Sequence, residues 1–132
     1  MGGLLDSGVL GSGDQHMMAA FVGKAGVSGA CCSNLHPNYL AAVLAYEKKA
    51  IQHVQGDLGY VSGTILHAWH GRKRSRQYQS RWKILEKHQF DPCTDVTKNT
   101  QGVLELTTAK QGLRDDIRSY FNARNEDGVE ND

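Results

Sequence analysis

Residues 65–85 read ILHAWHGRKRSRQYQSRWKIL, and this stretch sets both the fold prediction and the functional prediction. Its β-branched and aromatic residues, with those just before it, predict a strand over residues 60–69. The strand ends in two histidines, His67 and His70, and a basic helix is predicted over residues 75–88. Imidazoles beside a cationic helix are what a site for a metal ion and a phosphorylated ligand requires. The pattern alone does not identify the ligand.

The two histidines allow two interpretations. Side chains three residues apart on a strand point to opposite faces, so His67 and His70 cannot chelate one ion within a straight strand. If the strand ends near Trp69 and the chain turns at Gly71, one histidine suffices as a ligand. The sequence contains no CxxC or HExxH motif. In the alternative interpretation, one histidine is partly buried with a satisfied hydrogen bond and the other lies on the surface.

Three further helices are predicted from the spacing of the apolar residues. The first begins at Asp14, a residue type that caps helices, and ends at Gly23. The second runs from His36 to about Val54. Its expected apolar face consists of Leu40, Val43, Leu44, Ile51 and Val54. The third covers residues 113–124. It is expected to bury Leu113, Ile117, Tyr120 and Phe121.

The fold class expected from these elements is α/β and mostly helical, with about four helices and one or two short strands. The basic helix is expected to turn Tyr78, Trp82 and Leu85 inward. Residues 93–110 are expected to be mostly loop, with a possible strand at residues 103–106. We expect one domain over residues 1–124 and an acidic disordered tail over residues 125–132.

Composition and charge exclude several classes of protein. The chain has 132 residues, 39% hydrophobic content and a net charge of +1, which favours one domain and carries no global nucleic-acid signature. The basic residues nevertheless cluster within residues 72–87. Three cysteines, of which Cys31 and Cys32 are adjacent, favour a reducing cytoplasm over a disulfide framework. No apolar stretch approaches the roughly 20 residues that span a membrane.

A second segment that could carry chemistry is GSGDQH, residues 11–16. Backbone N–H groups of a glycine loop that leads into a helix can bind an anion or a hydroxyl-rich substrate. Asp14 could act as a general base on a substrate hydroxyl, or it could simply cap the helix. The basic segment also allows two interpretations, since it could bind phosphates or be a solvated face.

Four segments in this order resemble one family. They are GGLLDSGVLGSGDQHM, GYVSGTILHAWHGRKRSRQYQSRWKIL, FDPCTD and GLRDDIRSYFNARNED. Together they are similar to the C-terminal half of GT-A-fold glycosyltransferase-like proteins of phages and bacteria, over residues 2–127. The resemblance implies an acceptor site at Gly13, Asp14 and His16, with Asp14 as the base. It also implies a divalent cation, manganese or magnesium, at His67 or His70. The basic residues expected near the sugar diphosphate are Arg72, Lys73, Arg74 and Arg76.

The sequence departs from that family because it contains no Asp-x-Asp segment, which supplies the main metal carboxylates. The cation is therefore expected to bind weakly, and the chain alone is expected not to transfer sugar. An N-terminal half would be needed to complete the site for nucleotide sugar and acceptor sugar. The alternative prediction is a non-enzymatic module that binds nucleic acid or an acidic partner through residues 72–87. A homo-oligomer is a third possibility.

Overall fold

The computed structural model describes residue 5 and residues 8–27, 34–67 and 72–126 of the chain. Within these ranges the chain forms four α-helices and two short strands. The helices are α1 (Gly13–Phe21), α2 (Pro37–Val54), α3 (Trp82–Lys87) and α4 (Gln111–Arg124). The strands are β1 (Val96–Lys98) and β2 (Leu104–Leu106), which pair antiparallel with Val96 opposite Leu106. The expected mostly helical class with a small sheet is confirmed at this level.

The core is built where α1 packs against α2 and where α3 and the residue Phe90 close over them. Tyr39 of α2 lies at its centre, with edge-on ring contacts to Trp82 and Phe90 at centroid distances of 6.2 Å. Aromatic rings bury large areas and favour such edge-to-face contacts, so this cluster fixes how α1, α2 and α3 meet. The fully buried side chains of the core include Leu10, Tyr39, Val43, Leu85, Phe90 and Leu113.

Helix α2 begins and ends as the sequence predicts, but its buried face differs. The Nδ1 atom of His36 accepts a hydrogen bond from the Asn38 N–H at 3.2 Å, and Pro37 occupies the first turn, where its missing N–H is harmless. The expected face is correct at Val43 and wrong at Leu40, Leu44 and Ile51, which are exposed. The residues that are buried instead are Tyr39, Val43, Tyr46 and Ala50. Burying the large side chains of Tyr39 and Tyr46 removes more apolar surface from water than burying Leu40 and Leu44 would, so the helix turns the tyrosine face inward.

The start of α1 differs from the expected cap. Ser12 precedes the helix with φ 65° and makes no side-chain capping bond, and Asp14 lies inside the first turn. The prediction that Asp14 caps the helix is therefore wrong. The helix ends just before Gly23, as predicted.

The strand predicted at residues 60–69 is wrong over residues 60–67, and residues 68 and 69 lie outside the described ranges. Residues 57–67 contain no helix or strand, and Tyr60, Val61 and Leu66 are 92%, 96% and 90% exposed. Strand propensity reflects how well a residue fits a half-buried pleated surface. In the described part of the chain no second strand pairs with this segment, so these strand-favouring residues do not form a strand.

The basic helix predicted at residues 75–88 is interrupted. Residues Lys73–Arg76 form a 3-10 turn, Gln77 has φ 46°, and the α-helix begins only at Trp82. The Tyr120 hydroxyl donates to the Arg76 carbonyl at 3.0 Å and so holds the turn against α4. Trp82 and Leu85 are buried as predicted, whereas Tyr78 is 48% exposed.

The C-terminal part combines a missed strand with a correctly predicted helix. Strand β2 was predicted, but its partner β1 lies in a segment expected to be loop. Helix α4 buries Leu113, Ile117 and Tyr120, and Phe121 is exposed, contrary to expectation. The helix ends at Arg124 and is capped by Asn125, which has φ 45°, and residues 127–132 of the expected tail lie outside the described ranges. Among the described residues, no helix has the length and apolar content needed to cross a membrane.

Candidate functional site

A cavity of about 590 Å³ lies where the start of α1 faces the turn before α3 and the end of α4. Three segments that are far apart in sequence meet there, so the cavity exists only in the folded chain. Among the described residues, its walls contain a glycine-containing loop, one carboxylate and three guanidinium groups. The lining residues are Gly11, Ser12, Asp14, Gln15, Met18, Arg76, Tyr78, Arg81 and Arg124.

Arg81 is the buried cation of this cavity, with only 5% of its surface exposed. Its Nη2 donates to the Ser12 hydroxyl, its Nη1 lies 3.5 Å from the Tyr120 hydroxyl, and its guanidinium lies 5.0 Å from the centroid of the Tyr78 ring. Its Nε has no hydrogen-bond partner. All these partners are uncharged, and in the described part of the chain no carboxylate pairs with Arg81.

The loop before α1 is shaped around this guanidinium. Gly11 has φ 89°, and a Cβ atom there would lie 3.4 Å from Nη1 of Arg81. A side chain would be strained at this φ, and its Cβ would be in van der Waals contact with the guanidinium. The backbone N–H groups of Gly13, Asp14 and Gln15 have no acceptor among the described residues. The positive end of the α1 dipole therefore lies at the border of the cavity, which Ser12, Asp14 and Gln15 line.

Two further arginines border the cavity in a different setting. Nη1 of Arg76 donates to the Tyr78 hydroxyl at 2.7 Å. Arg124 pairs with the Glu126 carboxylate and stacks on the rings of Tyr120 and Phe121. The Nε atom of Arg124 is buried without a hydrogen-bond partner among the described residues. A pocket with several guanidinium groups and one carboxylate favours an anionic ligand, because Arg forks match the geometry of phosphate and carboxylate oxygens.

The structure brings together some of the site residues expected from the sequence. Asp14 and Arg76 line the same cavity, and Gly13 lies in the chain between two lining residues. The side chains of Arg72, Lys73 and Arg74 are exposed and are not part of its lining. Only one of the four basic residues expected near the diphosphate therefore reaches this site.

His16, expected to contact substrate, lies in the core rather than in the cavity. Its side chain is fully buried, with Nε2 3.0 Å from the Tyr39 hydroxyl and its ring 5.3 Å from the centroid of Trp82. Burial lowers the pKa of His16, and the nearby Asp14 carboxylate opposes this shift only in part. His16 is therefore a neutral imidazole that packs α1 against Tyr39 and Trp82 in the core.

Of the two histidines expected to bind metal, the structure describes His67, which is not among the residues that line the cavity. His67 is exposed on the segment after α2, and His70 lies outside the described residues. No group of three or more His, Cys, Asp or Glu side chains placed to hold a metal ion occurs in the described ranges. A single imidazole is an incomplete ligand set for manganese or magnesium, which prefer oxygen ligands. The cation stays a prediction.

Arg81, Tyr78 and Arg124 are functional candidates that sequence reasoning missed. Arg81 was grouped with the basic surface, although it directly precedes the buried Trp82 and so starts at the edge of the core. Arg124 lies four residues after Tyr120, a spacing that places both on one side of α4. The position of Arg81 next to Trp82 and the spacing of Arg124 from Tyr120 were the sequence signals for these two residues.

The chain was compared with protein-family models, curated proteins and solved structures, and no match was found in any of the three comparisons.

Proposed function

We propose that this chain forms the acceptor-binding and diphosphate-binding side of a GT-A-like glycosyltransferase that uses nucleotide sugars. One observation carries the proposal: the Asp14 carboxylate and the guanidinium groups of Arg76 and Arg81 line a single cavity. Displacement at an anomeric carbon needs a base for the acceptor hydroxyl and positive charge for the departing diphosphate. The cavity supplies both kinds of group, and its volume of about 590 Å³ suits a small molecule.

In the proposed reaction, the oxygen of the acceptor hydroxyl forms a bond to the anomeric carbon of the donor sugar. The bond between that carbon and the diphosphate oxygen breaks, and the electron pair leaves with the diphosphate. Asp14 accepts the hydroxyl proton, and Arg76 stabilises the negative charge that develops on the leaving group. Asp14 is solvent-exposed, so an acceptor can approach it without rearrangement of the core.

A divalent cation, if bound, would supply further positive charge to the leaving diphosphate. The described residues offer His67 as the only part of the expected ligand set, and no step above depends on a cation. Because Asp-x-Asp carboxylates are missing from the sequence, we expect the isolated chain to bind donors weakly and not to transfer sugar.

The test is a thermal-unfolding panel of nucleotide sugars, each with and without manganese. We expect at least one nucleotide sugar to raise the unfolding temperature of the wild type. The rise should shrink in Arg76→Gln and persist in Arg118→Gln, whose side chain lies exposed on α4 away from the cavity. A panel with no rise for any nucleotide sugar would end the proposal.

A second candidate function is nucleic-acid binding by the exposed basic turn. The exposed side chains of Arg72, Lys73 and Arg74 precede Tyr78, whose ring is half exposed and could stack on a base. Binding of this kind loses affinity steeply as salt concentration rises, because counterions are released from the phosphate backbone. Nucleotide-sugar binding should instead discriminate between sugars at one fixed salt concentration.

A further inference from the structure

We infer that the acceptor carries a phosphoryl group, and that Arg81 together with the N-terminal N–H groups of α1 binds this group. The inference rests on the proposed function in one respect, because it takes Asp14 as the residue that meets the acceptor hydroxyl. It adds the chemical class of the acceptor, a phosphorylated polyol or sugar. The observations that carry it are the burial of Arg81 and the hydrogen bonds that the cavity leaves unmade.

The first step concerns the charge on Arg81. A guanidinium stays protonated in proteins, so its burial is unfavourable unless a charge or several acceptors compensate it. The partners of Arg81 are the neutral hydroxyls of Ser12 and Tyr120, and the contact to Tyr120 is long at 3.5 Å. Its Nε remains without an acceptor. Arg81 therefore needs an anion, and the side of it that faces the cavity is the side from which an anion can come.

The second step concerns the backbone donors beside it. The N–H groups of Gly13, Asp14 and Gln15 lack acceptors within the described chain, and they belong to a helix of nine residues. Aligned N–H groups at a helix N-terminus bind phosphate-like anions because of their geometry and the helix dipole. Gly11, which lines the same cavity, lies beside the Arg81 guanidinium. Side-chain donors and backbone donors therefore border the same space.

The third step selects a phosphoryl group over a carboxylate. Among the described residues, the lining contains the guanidinium groups of Arg76, Arg81 and Arg124 and the carboxylate of Asp14. Arg124 is paired to Glu126, whereas the hydrogen-bond partners of Arg81 are neutral hydroxyls. Three backbone donors and a guanidinium fork offer more hydrogen bonds than a planar carboxylate can accept in one place. A tetrahedral group with three oxygens and up to two negative charges fits that donor set.

The fourth step concerns Asp14 itself. Its backbone N–H is one of the proposed phosphate donors, whereas its carboxylate would repel the phosphate and attract a hydroxyl. A ligand that satisfies both ends carries a phosphoryl group and a hydroxyl a few bonds apart. Binding of the phosphoryl group would then position the hydroxyl next to the base, which is how binding energy is converted into orientation. No divalent cation takes part in this contact.

The experiment is calorimetric titration of the full chain at constant ionic strength without divalent cations. The probes are inorganic phosphate, glycerol 3-phosphate, glycerol and sodium acetate. We expect binding of phosphate, tighter binding of glycerol 3-phosphate, and no measurable binding of glycerol or acetate. These comparisons use wild-type protein alone, so they do not depend on the folding of any variant. Acetate binding as tight as phosphate binding would overturn the inference.

Variants locate the contact. Arg81→Gln should weaken phosphate binding about tenfold or more, as loss of a charge-assisted hydrogen bond implies, while Arg81→Lys should weaken it less. Arg118→Gln is the matched control and should bind phosphate like the wild type. Asp14→Asn should bind phosphate as well as or better than the wild type, because a negative charge is lost. It should also lose the advantage of glycerol 3-phosphate over phosphate.

The two proposals fail in distinguishable ways. Phosphate binding that depends on Arg81, together with a flat nucleotide-sugar panel, would support the anion site and end the transferase proposal. Nucleotide-sugar binding without phosphate or glycerol 3-phosphate binding would support the transferase proposal and overturn the anion site. Phosphate binding that is equally strong in Arg81→Gln would overturn the inference, since the anion would then sit elsewhere on the basic surface.

Discussion

His16 occupies the core as a neutral imidazole between Tyr39 and Trp82. Burial removes water from the ring and disfavours its charged form, which lowers its pKa below the ordinary value of 6.5. The position of His16 on α1, two residues after Asp14, couples the packing of the core to the loop that borders the cavity. A substitution of His16 is therefore expected to alter the position of Asp14 at the candidate site.

The first prediction follows from that pKa. Below pH 6.5 the unfolded chain takes up a proton at residue 16 that the folded chain does not, so stability is retained above 6.5 and falls as pH decreases below it. The expected slope is at most about 1.4 kcal/mol per pH unit. The measurement is urea unfolding at about pH 7.5 and about pH 5.5. His16→Gln should reduce the loss, and the exposed control His53→Gln should retain it. An unchanged loss in His16→Gln would contradict the assignment.

Individual residues show where sequence reasoning reached its limit. Asp14 and Arg76 could be proposed as candidate site residues because their neighbours, a glycine loop and a basic run, are local signals. Arg81 could not be separated from the other basic residues, since its burial depends on Ser12 and Tyr120, which lie 69 and 39 residues away. Long-range contacts of this kind leave no periodic pattern in the sequence.

Helix α2 is the element whose ends are specified most clearly by local chemistry. Gln55 closes it with φ 51° and ψ 30°, a left-handed conformation that costs a residue with a Cβ atom about 1–2 kcal/mol. Its N–H donates to the Ile51 carbonyl at 3.0 Å, which completes the last turn. Glycine is the residue that adopts this conformation most readily.

The second prediction compares two glycine substitutions on α2. Gln55→Gly should raise the free energy of unfolding by about 0.5–1 kcal/mol, because the strain is removed and is only partly offset by the greater freedom of the unfolded chain. Gln52→Gly is the matched change within the helix and should lower stability by about 1 kcal/mol. Denaturant unfolding of both variants measures the difference. Destabilisation of equal size at both positions would show that the helix does not end at Gln55.

Elements that need a distant partner were predicted poorly. The extent of α2 follows from Pro37 and from its own periodicity, and α4 was predicted for the same reason. Strand β1 was missed because Val96–Lys98 becomes a strand only through pairing with β2. The segment of residues 60–67 failed in the opposite way, since it has strand-forming residues and, within the described chain, no strand to pair with.

At the scale of the whole molecule, the core lies among α1, α2, α3 and α4, and residues 57–67 lie outside it. Leu85 is fully buried, whereas Leu66 is 90% exposed. These two identical side chains lie in different environments, one in the core and one in solvent. Comparing their alanine variants therefore tests whether residues 57–67 contribute to the stability of the fold.

The third prediction uses this contrast. Leu85→Ala should lower the free energy of unfolding by about 2–5 kcal/mol, because it removes buried surface and leaves a cavity. Leu66→Ala should change it by less than about 0.5 kcal/mol. Denaturant unfolding at one pH checks both. A large loss in Leu66→Ala would mean that residues 60–67 pack against something in solution.

The exposed apolar side chains also bear on the expected homo-oligomer, which stays a prediction. Leu58, Ile65 and Leu66 on the segment after α2 would be buried if a second copy covered them. Sedimentation velocity over a range of protein concentrations should then show self-association that a Leu66→Asp substitution weakens. A compact monomer at all concentrations would contradict this expectation.

The central claim is that the cavity lined by Asp14 and Arg81 is the ligand site of this chain. Amide chemical-shift mapping of the isotope-labelled protein during a titration with a nucleotide sugar tests it most directly. The account predicts that the amides of residues 11–15 and 78–81 shift together and saturate with one dissociation constant. Shifts confined to the exposed residues 72–74, with no change at residues 11–15, would contradict it.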